Sequence, residues 1–236
     1  MTELSAIVTG AGRGIGLAVS QMLLQEGYTV HGIARSLPDN LQNEKFLFHK
    51  MDLSDIDSLE KNLSPLKKLC SNLKVLVLNA GIGLFGLHEE LPIKKLNEMM
   101  LLNFVSPVIT ARIFLRLLKN NQGTMVTVSS ASSLRGSALA AAYSGTKAGL
   151  SQFSRSVFDE SRKSGLRVVN IVPDIVSTDF YRNNWFEPES ENDSFLYPEE
   201  VAEAVRTCIG VRPEMNISEI HLEPRLKRIR KKKFLF

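Results

Sequence analysis

Short runs of consecutive apolar residues recur along the chain and alternate with longer segments of helical periodicity. The short runs are bounded by Gly, Asn, Pro or Ser, a pattern that predicts β-strands. The predicted strands span residues 6–9, 29–34, 46–50, 75–79, 124–129, 168–172 and 219–222. Because nearly every position in these runs is apolar, both faces of each strand are expected to be buried.

Between the strands, apolar residues recur at spacings of three and four, which is typical of helices. Pro198, Glu199 and Glu200 add a helix-start signal. The predicted helices span residues 15–25, 59–69, 96–118, 142–161 and 199–207. Strand and helix alternate about seven times. We therefore predict an α/β fold: a single-domain, doubly wound, Rossmann-like parallel sheet of about seven strands with helices on both faces.

One segment, residues 180–197, fits neither pattern. It is polar and acidic around Trp185 and Phe186, and its only basic residue is Arg182. An excursion of this length in a compact domain is usually a functional lid or a mobile loop. We favour a lid, and we call residues 180–197 the lid.

The length of 236 residues suits one domain, predicted over residues 1–224, followed by a basic tail over residues 225–236. The net charge of +4 comes from this tail, which holds seven of the 29 basic residues and no acidic residue. The rest of the chain has 22 basic and 25 acidic residues, so the net charge does not indicate a nucleic-acid-binding surface. A solvated terminus is favoured over a lipid contact through Phe234, Leu235 and Phe236, and its removal is expected to leave the reaction rate intact.

Cysteine usage and the N-terminus favour a cytoplasmic protein. Cys70 and Cys208 are far apart and outside any metal-binding spacing, so buried apolar roles are expected for both. The N-terminus shows no export signal. Residues 99–118 are apolar but carry too many polar side chains for a membrane span, and a buried helix suits them better.

A glycine-rich turn follows the first predicted strand: Thr9, Gly10, Ala11, Gly12, Arg13, Gly14, Ile15 and Gly16. Glycines allow a tight turn and close approach of backbone amides to a pyrophosphate at a helix N-terminus. The second strand ends without an acidic residue for ribose hydroxyls, and Arg35 stands there instead. Because guanidinium groups of Arg13 and Arg35 suit a 2′-phosphate, NADP(H) is the predicted cofactor; the alternatives are a ligand-free turn and solvated surface arginines.

Tyr143 and Lys147 are four residues apart on a predicted helix, so their side chains share one face. A nearby ammonium favours the phenolate and is expected to lower the tyrosine pKa toward neutral pH. Ser130 lies just beyond a strand, at the sheet edge where doubly wound folds bind ligands. Its hydroxyl could hold a substrate oxygen.

Together these motifs resemble the short-chain dehydrogenase/reductase family, in the branch with a TGxxxGxG turn and a YxxxK active site. The resemblance implies that Asn103 supports a proton-relay water, Ser130 orients the carbonyl, Tyr143 is the acid/base, and Lys147 holds the nicotinamide ribose. It also implies cofactor contacts in the glycine-rich turn and further along the chain. With Arg13 and Arg35 from the 2′-phosphate argument, the predicted contacts are Gly10, Gly12, Arg13, Gly14, Ile15, Gly16, Arg35, Asp52, Leu53, Asn79, Ala80, Gly81, Tyr143, Lys147, Pro173 and Thr178.

The implied activity is NADP(H)-dependent interconversion of a small-molecule carbonyl and an alcohol by hydride transfer, with no metal. The resemblance further implies a homodimer or homotetramer through helices 96–118 and 142–161. One departure stands out: Asp174 follows Pro173 where the family usually has glycine.

The C-terminal half is most similar to the 3-hydroxy acid and serine dehydrogenase-related subgroup, because residues 216–224 lack the glycine-rich ending of ketoacyl reductases. We therefore favour a small polar or aldehyde-type carbonyl substrate over an acyl-carrier-protein thioester. A 3-oxoacyl-acyl-carrier-protein reductase remains an alternative. A non-catalytic NADP(H)-sensing protein is another alternative from a different class.

Overall fold

The main sheet has the predicted number of strands, all parallel. A computed structural model describes residues 3–182, 184–189 and 191–232. The strands of this sheet are β1 (Ser5–Thr9), β2 (Thr29–Ala34), β3 (Phe46–Lys50), β4 (Leu73–Leu78), β5 (Thr124–Val128), β6 (Arg167–Pro173) and β8 (Glu219–Leu222). Their order is β3-β2-β1-β4-β5-β6-β8, and every neighbouring pair is parallel. The predicted doubly wound, Rossmann-like fold is confirmed.

Helices cover both faces of this sheet. They are α1 (Gly14–Gln25), α2 (Ile56–Leu63), α3 (Leu66–Leu69), α4 (Ile93–Met100), α5 (Ser106–Asn120), α6 (Ala141–Ser161) and α7 (Pro198–Ile209). The predicted helix 59–69 is two helices, because Pro65 starts a new one. The predicted helix 96–118 corresponds to α4 and α5, joined by a π-helical turn, Leu101–Val105.

Successive residues of each strand point to opposite faces of the sheet and contribute to two apolar layers, one on each face. In β1, Ala6 and Val8 join the layer beneath α1 and α7, whereas Ile7 joins the opposite layer with Phe114 of α5. All four side chains are fully buried. Two covered faces leave the carboxyl edge of the sheet as the place where loops meet solvent.

The switch in strand order lies between β1 and β4, which are neighbours although two strands separate them in the chain. Thr9, at the end of β1, ties this point together: its Oγ1 accepts the backbone N–H groups of Asn79 (2.9 Å) and Ala80 (3.2 Å). The same hydroxyl donates to the Val77 carbonyl at 3.1 Å. The glycine-rich turn and the Asn79 loop are thereby fixed side by side at a ligand-binding crevice.

The tail and the lid form a second, two-stranded sheet that the sequence did not predict. Strand β7 (Phe186–Pro188) of the lid pairs antiparallel with β9 (Ile229–Lys231) of the tail. A frayed terminus is therefore wrong for this part of the tail, which is paired with the lid, although most of its side chains are exposed to solvent as expected. Phe234, Leu235 and Phe236, considered for a lipid contact, lie outside the described residues.

Ion pairs run along the whole contact between the acidic lid and the basic tail. They are Arg225–Asp193, Arg228–Glu191, Arg230–Glu187 and Lys232–Glu187. Backbone hydrogen bonds add to them, from Leu226 N–H to the Asp193 carbonyl (2.8 Å) and from Lys232 N–H to the Trp185 carbonyl (2.9 Å). The tail therefore lies along the lid for the whole of residues 225–232.

Both cysteines are buried, and desolvation raises the pKa of the Cys70 thiol to about 12 and that of the Cys208 thiol to about 11. Their expected apolar roles are confirmed. The continuous helical run 93–120 is long and apolar enough to cross a membrane by length and composition, a test that buried helices of soluble proteins also pass. In this fold α5 packs against β4 and α2.

Candidate active site

A cavity of about 580 Å³ opens along the carboxyl edge of the sheet. It is lined by all of the predicted site residues except Gly16 and Asn103. The sequence motifs, although spread from residue 10 to residue 178, thus meet in one place. The cavity has two ends: a glycine-rich end beside α1 and an aromatic end beneath the lid.

The glycine-rich turn needs its glycines for conformation and for space. Gly10 and Gly14 have φ angles of +71° and +55°, in the left-handed region that other residues rarely adopt. A Cβ atom on Gly16 would lie 2.2 Å from the Gly10 carbonyl oxygen. Gly16 therefore contributes by close packing, while the amides at the start of α1 stay open to the cavity.

Arg13 and Arg35 both line the glycine-rich end. The Arg13 guanidinium is 3.8 Å from the Asp179 carboxylate, and both side chains are exposed. Arg35 faces Asp52, whose pKa is lowered mainly by hydrogen bonds from Ser54 and to a smaller degree by the Arg35 charge. Two cations at one end of the cavity suit a dianionic phosphate.

Asn103 lies in the π-helical turn and is fully buried. Its amide Nδ2 donates to the Ile82 carbonyl and its Oδ1 accepts the Ile82 N–H, both at 2.9 Å. Nδ2 also donates to Thr146 Oγ1 at 3.3 Å. The asparagine thereby fixes the loop after β4 to α6, and π-helical turns of this kind are frequent at functional sites.

The ammonium of Lys147 is buried and donates to the Val128 carbonyl at 2.9 Å. Desolvation lowers the pKa of Lys147 to about 8. A Cβ atom on Gly81 would lie 3.5 Å from Lys147 Nζ and 3.2 Å from Asn103 Oδ1. Gly81 therefore keeps open the space between these two polar groups.

Tyr143 differs from the sequence-based expectation. Its pKa is raised to about 12 by burial, and only a hydrogen bond with Ser130 acts in the other direction. The expectation that Lys147 lowers the tyrosine pKa is wrong for this structure. The Lys147 ammonium is 5.9 Å from the centroid of the Tyr143 ring and donates to the Val128 carbonyl instead. The rings of Phe85 and Phe180, at centroid distances of 5.1 and 5.9 Å, exclude water from Tyr143.

Sequence reasoning missed most of the aromatic end. We call its side chains the aromatic wall: Phe85, Tyr143, Phe180, Tyr181, Trp185 and Phe186. The tail adds Lys227 and Ile229 to the cavity lining. The aromatic density of the lid was a usable signal for the wall, whereas the position of the tail residues had no local signal.

The family model for short chain dehydrogenase matches residues 5–188. The chain is 29% identical to a 3-oxoacyl-acyl-carrier-protein reductase of Vibrio harveyi over 74% of each chain. It is 25% identical to an uncharacterized oxidoreductase of Staphylococcus aureus over 95% of this chain and 98% of that one. An alcohol dehydrogenase of Thermococcus sibiricus, solved with 5-hydroxy-NADP, superposes with a TM-score of 0.85 at 28% identity and covers 96% of this chain and 98% of its own. The chain therefore belongs to the short-chain dehydrogenase family.

Proposed function

We propose that this protein is an NADP(H)-dependent oxidoreductase that interconverts a carbonyl and an alcohol by hydride transfer. The observation that carries the proposal is the convergence of Ser130, Tyr143 and Lys147 with the glycine-rich turn in one cavity. The Thermococcus sibiricus relative, solved with an NADP analogue, supports the cofactor. We also expect a cytoplasmic location. A homodimer or homotetramer is expected through α4, α5 and α6, where Ile93 and Met100 are exposed.

The glycine-rich end fits an NADP(H) cofactor. A Cβ atom on Gly12 would lie 2.7 Å from the Ser36 carbonyl oxygen, so the backbone alone forms this surface. The open amides at the start of α1 suit a pyrophosphate, and Arg13 and Arg35 suit the 2′-phosphate. When bound, the cofactor supplies or accepts the hydride. The remaining chemistry is a proton transfer and the stabilisation of charge on the substrate oxygen.

Tyr143 and Ser130 perform that part of the reaction. Both hydroxyl-bearing side chains line the cavity, and Ser130 acts on the Tyr143 pKa in the direction opposite to burial, so the two groups are placed to donate to one carbonyl oxygen. A tyrosine whose pKa is about 12 stays protonated at neutral pH and suits the role of proton donor to a forming alkoxide. Lys147, with a pKa near 8, can hold the ribose and supply positive charge as the tyrosine gives up its proton.

The substrate stays a proposal: a small polar or aldehyde-type carbonyl rather than an acyl-carrier-protein thioester. The Vibrio harveyi relative keeps 3-oxoacyl-acyl-carrier-protein reduction as the second candidate. A non-catalytic NADP(H) sensor would not require Ser130, Tyr143 and Lys147 together at a buried site. A screen of NADPH oxidation across aldehydes, diketones, 3-oxo acids and a ketoacyl thioester separates these candidates.

Tyr143→Phe tests the mechanism. The variant keeps the ring that packs on Phe85 and loses the proton donor, so turnover should fall by about 10²- to 10⁴-fold while NADPH affinity is kept. Tyr28→Phe, the same change at a residue outside the cavity lining, is the matched control. NADPH oxidation and NADPH fluorescence titration provide the two measurements. Retained turnover in Tyr143→Phe would remove this residue from the mechanism.

A further inference from the structure

The aromatic end of the cavity is closed on several sides by rings. Phe85 contacts Tyr143 and Phe186, each at a centroid distance of 5.1 Å, and Tyr181 contacts Phe186 at 5.2 Å. Ile229 of β9 adds an aliphatic side chain to the same lining. A space bounded by aromatic and aliphatic carbon favours an apolar occupant.

One carboxylate stands inside this apolar surface. Asp174 follows Pro173 at the end of β6, and its N–H donates to the Leu222 carbonyl at 2.9 Å, which fixes its backbone at the sheet edge. Its side chain is only 10% exposed. Burial, followed by the neighbouring Tyr143 and Asp174 groups, raises the pKa of Tyr181, so the Asp174 charge acts at the aromatic end. A carboxylate this sheltered needs a cationic partner.

The tail supplies that partner. Lys227 Nζ lies 2.9 Å from Oδ1 and 2.8 Å from Oδ2 of Asp174, so the ammonium meets both carboxylate oxygens. Residues on either side of Lys227 are fixed to the lid, through Leu226 N–H to the Asp193 carbonyl and through Arg228 to Glu191. The tail therefore delivers one cation to one carboxylate at a defined position.

The other cations that line the cavity do not offer a free charge at the aromatic end. Arg13 and Arg35 lie at the glycine-rich end, and Lys147 donates to the Val128 carbonyl. Arg182 of the lid does not line the cavity. A carboxylate-bearing substrate would therefore meet the paired Lys227 and the negative charge of Asp174 rather than a free cation.

We propose that the Lys227–Asp174 pair keeps the substrate end of the cavity electrically neutral, so that the enzyme selects uncharged carbonyl compounds, among them the aldehyde-type substrates proposed above, and rejects analogues that carry a carboxylate. The inference rests on the proposed carbonyl reduction and makes its substrate class specific. Asp174 and Lys227 are specificity-determining residues in this view, separate from the groups that transfer the proton.

Two substrate pairs that differ in one charge test the inference. The first pair is 4-methylbenzaldehyde and 4-carboxybenzaldehyde, and the second is methyl 3-oxobutanoate and 3-oxobutanoate. Rates of NADPH oxidation at low ionic strength give kcat/KM for each compound. We expect the wild-type enzyme to prefer the neutral member of a pair by about tenfold or more, since one charge-assisted interaction corresponds to about 10- to 100-fold.

Asp174→Asn should reverse this preference, because it leaves Lys227 free in the cavity lining. The expected result is a gain of about 10-fold or more in kcat/KM for the carboxylated member, with little change for the neutral one. Lys227→Met added to Asp174→Asn should abolish the gain. Glu191→Gln is the matched control: it frees Arg228 by an identical change of charge, but neither residue lines the cavity, so the substrate ratio should stay constant.

The outcomes distinguish a failure of this inference from a failure of the proposed function. Equal turnover of carboxylated and neutral substrates by the wild-type enzyme, or an unchanged ratio in folded Asp174→Asn, overturns the inference and leaves the proposed function standing. If Asp174→Asn does not fold, Lys227→Met alone provides the test, because it should strengthen rejection of the carboxylate, and an unchanged ratio overturns the inference. Absence of NADPH oxidation with every carbonyl compound overturns the proposed function, and the inference with it.

Discussion

The two ends of the cavity are held together in different ways. The glycine-rich end is built from residues that directly follow strands β1, β2 and β4, and buried or half-buried hydrogen bonds such as those of Thr9 fix it. The aromatic end is closed by the lid and the tail, which are separated by α7 and β8 along the chain and meet mainly through ion pairs at the surface. One end is part of the sheet, and the other is laid over it.

This difference sets how easily each end can open. The Arg228–Glu191 pair has more than half of each side chain exposed, and exposed pairs contribute at most about 1 kcal/mol each. The lid–tail sheet has only three residue pairs. Segments with few buried contacts open locally at low free-energy cost, which suits substrate entry and product release. The cofactor end has no comparable hinge among the described residues and should stay formed.

A substitution that distorts the glycine-rich end should have the largest effect, a loss of NADPH affinity. In Gly16→Ala the new Cβ atom would lie 2.2 Å from the Gly10 carbonyl oxygen and 2.6 Å from Asn79 Nδ2, so the turn must shift. Overpacking of this kind costs about 1–3 kcal/mol, and we expect NADPH affinity to fall by at least tenfold in a fluorescence titration. Gly145→Ala, with nothing within 4 Å of its new Cβ atom, is the control. Equal affinities of the two variants would show that the turn is not held rigidly.

Breaking the other end should separate substrate binding from cofactor binding. Ending the chain after Pro224 removes β9, Lys227 and Ile229, so KM for the carbonyl substrate should rise by about tenfold or more while the NADPH Kd changes less than about threefold. This reverses the expectation from sequence that the rate would be left intact. A chain ending after Lys232 keeps every described tail contact and is the control. An unchanged KM in the shorter chain would show that the tail is dispensable for the substrate end.

The same contrast explains what the sequence could predict. Each of the seven strands of the main sheet carries its own apolar run, and residues such as Gly10, Asn79 and Ser130 follow those runs directly. Because parallel strands bring their carboxyl ends to one edge, local motifs were enough to place them together. The spacing of four residues on a predicted helix placed Tyr143 and Lys147 on one face of α6.

The contact between lid and tail could not be placed in this way. Strand β9 reads Ile229-Arg230-Lys231, with no apolar alternation, and its partner Glu187 lies more than 40 positions earlier in the chain. The opposite charges of the two segments indicated attraction, but many registers satisfy charge alone. The predicted lowering of the Tyr143 pKa was wrong for a related reason. Lys147 is near Tyr143 in sequence and could be considered, whereas the rings that exclude water from Tyr143 come from Phe85 and Phe180, which are distant in sequence.

Acid should distinguish the two regions through different titrating groups. His31 of β2 and His49 of β3 lie with their ring nitrogens 3.0 Å apart, and burial, with a smaller contribution from His49, lowers the pKa of His31 to about 4. In the unfolded chain His31 binds its proton near pH 6.5, whereas in the folded chain it stays neutral down to about pH 4. The free energy of unfolding should therefore decrease as the pH falls from about 6.5 to about 4, by at most about 1.4 kcal/mol per pH unit.

The lid–tail contact should respond at lower pH. Hydrogen bonding from Arg225 holds the pKa of Asp193 below its usual value, so this carboxylate stays charged, and its contribution is lost only as the pH falls through that lowered pKa. Urea unfolding from pH 7 to pH 4 should therefore show a decline that His31→Phe flattens and that His88→Phe, at an exposed histidine, does not. KM for the substrate, which reports on the lid, should change little across the part of this range that lies above the lowered Asp193 pKa. A decline unaffected by His31→Phe would place the acid-sensitive group outside the β2–β3 edge.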